Sequence, residues 1–312
     1  MLDFLFRRTR ERRATWAKVA DELGGSFHLA SGFWRRKNER IEAVVSGVPV
    51  VLDIFFVTTG KSSHPYTRAR APYARGPGPK LKVYRQGVLS ALGKAIGLQD
   101  LSFGELAAFD AEFMVKSSNE AVARALWSRP AMERMLSTFS RARFESDAEE
   151  VVLVDAGRWE EANRLRAGIQ LVAELATRDL FGADALRAIP DATFVQPPGE
   201  RPSAELAVPV RVAIRAEDRD GRLVTVARAA DQVELPPLVL EVTDGKPTDP
   251  AQASTLPQGA HVPLHAVGTG VLAIDADGIR FTWDAVERDP VRLRSAAELI
   301  GAVAAGTAGT YR

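Results

Sequence analysis

Arg164-Leu165-Arg166-Ala167-Gly168-Ile169-Gln170-Leu171-Val172-Ala173-Glu174-Leu175-Ala176 is written a second time, with variations, as Arg292-Leu293-Arg294-Ser295-Ala296-Ala297-Glu298-Leu299-Ile300-Gly301-Ala302-Val303-Ala304. Leu165, Leu171, Val172 and Leu175 correspond to Leu293, Leu299, Ile300 and Val303, so the apolar stripe of an amphipathic helix repeats along with the letters. A short strand-like run and a tryptophan, Trp159 or Trp283, precede each copy. This pattern predicts an α+β fold: two related domains of mostly antiparallel sheet, each packed against a closing amphipathic helix.

Working outward, a chain of 312 residues exceeds the usual size of one core, which also favours two domains. Apolar and charged fractions of 46% and 26% are those of a soluble globular protein rather than a disordered one. Cysteine is absent, excluding disulfides, thiolate metal sites and cysteine nucleophiles. Met1–Phe6 is too short for a secretory h-region, and its arginines follow rather than precede it. The apolar stretch Val44–Val57 is interrupted by Ser46, Gly47, Pro49 and Asp53 and falls short of a spanning helix. A cytoplasmic location is therefore expected.

Net charge is near zero but unevenly spread. Residues 1–100 hold 18 Lys/Arg against 8 Asp/Glu, and residues 101–312 hold 23 against 32. Such asymmetry fits either two halves with complementary charge and solvated surfaces or a basic face that meets an acidic partner.

Residues 9–24 read as a helix with Trp16, Val19, Ala20 and Leu23 on one face, stopped by Gly24-Gly25. Strands are expected at 26–30, 40–45, 48–57, 66–71 and 80–84, and a helix at about 87–97. Phe109–Ser118 reads as a strand, followed by a helix capped by Asn119 and another opened by Pro130. Strands at 141–145 and 149–154 lead into the first repeated helix. Residues 1–181 thus form the N-terminal domain, 182–204 a Pro/Gly-rich linker, and 205–312 a strand-rich C-terminal domain. Strands are expected there at 207–215, 223–229, 237–242, 261–267, 270–275 and 279–283, with Asp220-Gly221 and Asp277-Gly278 as hairpin turns.

The repetition extends backwards. Thr67-Arg68-Ala69-Arg70-Ala71 matches Thr225-Val226-Ala227-Arg228-Ala229 at an offset of 158, against 128 for the closing helices. A C-terminal copy shortened by about 30 residues, across the Phe109–Leu136 region, reconciles the two offsets.

Phe109, Asp110, Phe113, Val115 and Ser117 form an F-D-x-x-F-x-V-x-S phrase, followed by Ala121, Ala123 and Leu126 and then Met132-Glu133-Arg134-Met135. With Tyr66-Thr67-Arg68 ahead of it, residues 15–180 resemble a bacterial family of unknown function marked by that phrase, an A-rich helix and an M-E-x-L helix. The resemblance implies a mixed α+β domain and carries over no functional residue.

Standard chemistries find little support. Gly60-Lys61-Ser62 lacks the glycine a phosphate loop needs five residues earlier, where Phe55 stands, and His64-Pro65 blocks the following helix. It reads as a hairpin loop. Between His261 and His265, Pro263 argues against a helical H-x-x-x-H zinc pair. Asp-x-Asp-Gly at 275–278 and 218–221 lacks the closing glutamate of a calcium loop. No G-x-S-x-G or dinucleotide glycine pattern occurs. No cofactor and no metal site are expected.

The remaining candidate binding surface is basic: Arg7, Arg8, Arg10, Arg12 and Arg13 beside an apolar tip, with Arg35, Arg36, Arg68 and Arg70. Such a block docks weakly on anionic membrane or contacts phosphates, although no recognition-helix or base-stacking motif favours nucleic acid. The leading expectation is a non-enzymatic protein-interaction or assembly module whose partner is another protein or a second copy. Alternatives are peripheral membrane docking through the N-terminus, and an enzyme or small-molecule site lined by His64, Tyr66, Arg68 and Arg70.

Overall fold

The computed structural model describes residues 2–29, 39–86, 99–230 and 236–308. The chain divides into two units, Met1–Arg178 and Asp179–Arg312. The first comprises α1 (Leu2–Glu22), β1 (Ser26–His28), β2 (Arg40–Val45), β3 (Val48–Thr59), β4 (Ser62–Pro72), β5 (Leu81–Arg85), β6 (Gln99–Leu101), α2 (Ala107–Glu112), β7 (Phe113–Ser117), α3 (Glu120–Leu126), α4 (Arg129–Thr138), β8 (Arg143–Ser146), β9 (Glu150–Ala156) and α5 (Ala162–Ala176). Its strands form one antiparallel sheet in the order β1-β2-β3-β4-β9-β8-β5-β7-β6.

The second unit comprises α6 (Ala183–Arg187), β10 (Thr193–Val195), β11 (Ser203–Val208), β12 (Val210–Arg219), β13 (Arg222–Ala229), β14 (Leu238–Thr243), β15 (Lys246–Pro247), α7 (Pro250–Ala253), α8 (His261–Ala266), β16 (Gly270–Asp275), β17 (Gly278–Thr282) and α9 (Pro290–Ala308). Its antiparallel sheet runs β10-β11-β12-β13-β17-β16-β14-β15. The two plans agree. In each, a four-stranded meander is followed in space by the unit's last hairpin and then by the fifth strand. This is the α+β architecture of two related domains that the repeated helices predict.

Each closing helix buries the stripe read from the sequence: Leu165, Leu171, Val172 and Leu175 in α5, and Leu293, Leu299, Ile300 and Val303 in α9, are all buried. In the first unit, Trp159 seats against α5 at Gly168, where an added Cβ would stand 2.4 Å from the indole. Its carbonyl accepts the indole N–H of Trp16 from α1 at 2.8 Å. Thr67 and Thr225 are buried at corresponding places on β4 and β13. The Trp159 N–H donates to the Thr67 hydroxyl, and the Trp283 N–H donates to the Thr225 carbonyl. The earlier match at offset 158 thus falls on equivalent strands.

Five expectations are corrected. Residues 109–112 are helical, because the Asp110 carboxylate turns back to accept the N–H groups of Phe103 and Gly104 and the Ser102 hydroxyl. The strand expected over 207–215 is two strands reversing at Pro209, which has no N–H to give a ladder. Residues 261–266 are helical, since Pro263 lies in the first turn, where its missing N–H is no loss. The expected linker, 182–204, carries α6, β10 and the start of β11, and buries Leu186 and Ile189 in the second unit's core. Its prolines break short elements without detaching them. α1 begins at Leu2 rather than residue 9, and the helix expected at 87–97 lies outside the described residues. No helix among the described residues is long and apolar enough to cross a membrane.

Candidate functional site

The N-terminal arginines lie along α1, where the unit's own carboxylates meet them. Arg7 pairs with Glu11 at 2.8 Å, and Arg8 with Glu160 at 2.9 Å. Arg12 and Arg13 both grip Glu39, at 2.5 and 2.6 Å. Arg12 and Glu39 are only 6% and 8% exposed. Burial pushes the Glu39 carboxyl up, and hydrogen bonds and charge from Arg12 and Arg13 outweigh it, holding the group below its ordinary value of 4.5. Of the five, Arg10 alone makes no ion pair among the described residues. Arg35 and Arg36 lie outside them.

Strand alternation brings His64, Tyr66, Arg68 and Arg70 to one face of β4, away from the buried Thr67, Ala69 and Ala71. The face does not converge on a reacting centre. His64 is exposed opposite Val57. Tyr66 stacks on Phe55 at 5.6 Å. Arg68 forks onto Asp53 through bonds of 3.0 and 2.7 Å and lies 5.1 Å over the Phe55 ring. Those Asp53 hydrogen bonds raise its pKa against the opposing effect of burial. Arg70 sits between Val51 and Val152, and its buried Nε has no partner among the described residues. Arg68 also lines a cavity of about 410 Å³ with Phe55, Lys82, Arg143, Glu145 and Val154. The second unit has one of about 540 Å³, lined by Arg201, Arg215, Glu217, Asp218 and Arg228 among others.

His261 and His265 do share a helix, contrary to expectation, and His265 Nδ1 lies 3.0 Å from the Gly245 carbonyl. Among the described residues no group of three or more His, Asp or Glu could hold a metal.

The feature that sequence reasoning missed is the end of the β3–β4 hairpin. The strands pair from Val51↔Arg70 to Thr59↔Ser62 across the two-residue loop Gly60-Lys61. Gly60 takes φ +60°, the positive value a tight hairpin needs at its first loop position. On one side, β2 stops pairing at Arg40↔Asp53, followed by a last bond from Ile54 N–H to the Glu39 carbonyl. On the other side, β9 stops at Tyr66↔Ala156, followed by Gly157 N–H to the Pro65 carbonyl. Among the described residues, 55–64 therefore form a two-stranded arm beyond both neighbours. Phe56 and Val57 on it are 41% and 39% exposed, and Arg158 lies 5.6 Å over the Phe56 ring. The sequence signal was present: Ile54-Phe55-Phe56-Val57-Thr58-Thr59 contains no charge, proline or glycine. Where neighbouring strands end was not legible.

No family model matches the chain, and no curated protein matches it. Among solved structures it is similar to the crystal structure of the mycobacterial trehalose monomycolate transport factor A, TtfA, with 14% identity, a TM-score of 0.38, and coverage of 55% of this chain and 94% of that one.

Proposed function

We propose that the protein is a cytoplasmic, non-enzymatic interaction or assembly module, built by internal duplication and akin to the bacterial family whose F-D-x-x-F-x-V-x-S phrase it carries. The observation that carries this reading is the β3–β4 arm. An exposed strand edge bearing apolar side chains is a template for pairing with another chain, and proteins without such a use blunt it. The other edges of both sheets follow that rule: β1, β6 and β10 have three residues each and β15 has two. The arm does not. The engagement of Arg7, Arg8, Arg12 and Arg13 by carboxylates weighs against anionic membrane or nucleic acid as the main partner. The test is capture from native lysate by the tagged full chain at low and high salt. A stoichiometric protein partner, or a second copy, is the expected eluate. Only lipid or nucleic acid, released at high salt, would overturn the reading.

A second reading has its own observation, the cavity beside Arg68. Phe55 and Val154 line it together with Arg68, Lys82 and Arg143 and with the carboxylates Glu145, Asp147 and Glu150, a setting for a small zwitterion that carries an apolar group. Saturable calorimetric binding of an apolar amino acid, lost in Arg143→Ala, is the expected result; no heat with any amino acid tried would remove this reading.

A further inference from the structure

The cavity of the second unit lies on the face of its sheet that α9 does not cover. Val195, Ser203 and Arg215 stand side by side along one row of β10, β11 and β12. Arg228 shares their face, since Arg215 pairs with Val226 two residues before it. The alternate residues Ala204, Ile214 and Ala227 point the other way, into the core that α9 closes. One wall is the turn between β10 and β11, closed by the Glu200 N–H on the Pro197 carbonyl at 3.1 Å. From that turn Arg201 reaches the Ala216 carbonyl at 3.5 Å, with its guanidinium 5.3 Å over the buried Phe181 ring, so it is held before any ligand arrives. Every residue lining the cavity lies in this unit. Ala230, the last described residue of its stretch, pairs with the Arg211 carbonyl, about 13 Å along β12 from Arg215.

The first unit supplies an internal comparison. Matching Arg228 with Arg70 at the offset of 158 sets Val226 in the place of Arg68 and Arg215 in the place of Asp53. In the first unit that place is filled by the unit's own carboxylate, Asp53, 6% exposed and gripped twice by Arg68. In the second unit the carboxylate is gone and a cavity bordered by arginines stands there.

The lining charges sort into those already paired and those left over. Arg215 is held by Glu217 at 3.1 Å, and Glu217 is shared with Arg219 at 3.6 Å. Asp275, beyond the lining, is taken by Arg280 at 2.6 Å. Arg201 and Arg228 have no ion pair among the described residues, and neither do Glu200 and Asp218. Two cations and two carboxylates thus remain, so a simple anion would meet repulsion as well as attraction, and a ligand carrying both charges answers all four. The signs are also separated. Arg228 is half-buried, whereas Glu200 and Asp218 are exposed. Arg228 stands beside Ala213, five residues along β12 from Asp218, or about 17 Å between backbone positions. Several ångströms remain between the two charges even when both side chains lean together. A free amino acid carries its charges on one carbon and cannot bridge that gap. Two or three linked residues, at about 3.3–3.6 Å each, can.

We infer that this cavity binds a short peptide of two or three residues with free ends. Its carboxylate meets Arg228 and Arg201, and its ammonium meets Asp218 and Glu200. The Ser203 hydroxyl, which makes no hydrogen bond among the described residues, is placed for a peptide amide, and Val195 and Pro197 supply the apolar wall. The inference is independent of the interaction-module reading and of the amino-acid site beside Arg68.

The test is calorimetry of the full chain with trialanine as the probe. Saturable binding is expected, weakened ~10-fold or more by N-acetylation or by C-terminal amidation, since each removes one charge–charge contact. Arg228→Gln and Asp218→Asn are each expected to weaken trialanine by a similar factor. Asp218→Asn should leave the N-acetylated peptide unaffected, a selectivity that mere loss of folding would not produce. Circular dichroism checks that both variants fold, and Arg143→Ala, in the first unit, should bind trialanine as the wild type does. No saturable binding of trialanine overturns the inference, as does binding undiminished in both Arg228→Gln and Asp218→Asn. Alanine or inorganic phosphate bound as tightly as trialanine, at a site lost in Arg228→Gln, overturns the peptide assignment.

Discussion

At the scale of single residues, side chains that read as binding groups or motif letters turn out to hold the fold together. Arg12 is buried against Glu39, so its charge is internal and not a surface offered to phosphate. Asp110, a letter of the family-like phrase, binds the backbone of Phe103 and Gly104, while Phe109, Phe113, Val115 and Ser117 of the same phrase are buried. The sequence marked these positions as patterned; what each touches was not legible, because Glu39 lies 27 residues from Arg12 and reaches it only through the fold. Removing one member of a buried ion pair leaves the other unpaired, so Glu39→Ala is expected to cost about 3–5 kcal/mol in urea denaturation at neutral pH. The double variant Arg12→Met with Glu39→Leu should recover much of that loss. Because the Glu39 carboxyl is held below its ordinary value, its contribution is complete above pH 4.5 and is lost as pH falls through the lower folded value. The gap between wild type and Glu39→Ala should therefore narrow in denaturation series run at about pH 3.

At the scale of elements, periodicity carried the reading wherever one face is buried. The stripes of α5 and α9, the β16–β17 hairpin and the meander strands follow from spacings of 3.6 and 2 residues. It failed where a local hydrogen bond or a proline position decided the outcome, as in α2, at the Pro209 reversal and in α8. Gly168 belongs to this scale too. Within a helix, alanine is favoured over glycine by about 1 kcal/mol, yet a Cβ here would stand 2.4 Å from Trp159. Overpacking outweighs propensity, and Gly168→Ala is expected to destabilise the first unit by about 1–2 kcal/mol. Tryptophan fluorescence during urea unfolding measures it; unchanged or increased stability would mean that Trp159 moves aside freely.

At the scale of the whole molecule, the charge imbalance follows the two units. Met1–Arg178 holds 28 Lys/Arg against 21 Asp/Glu, and Asp179–Arg312 holds 13 against 19. Each unit has its own sheet and closing helix, so each is a candidate for independent folding. The boundary matters, because Leu186, Ile189 and Ala204 belong to the second core. A fragment of residues 179–312 should unfold cooperatively on heating. One of residues 205–312, cut where the prolines invited a linker, should not, having lost α6, β10 and the start of β11. Equal cooperativity in both would show that these elements add nothing to the core.

The sequence by itself determined the α+β class, the closing helices, the Thr67/Thr225 correspondence and several turns, because each depends on neighbours within a few residues or on a direct repetition of letters. Only the tertiary structure decided three further things: that each unit's last hairpin pairs with its fourth strand, that α1's arginines are largely neutralised, and that the β3–β4 hairpin outruns the strands beside it. Strand order, ion pairing and the place where a ladder ends all depend on residues far apart in the chain, and burying apolar surface in a sheet brings those residues together without leaving a local mark on the letters.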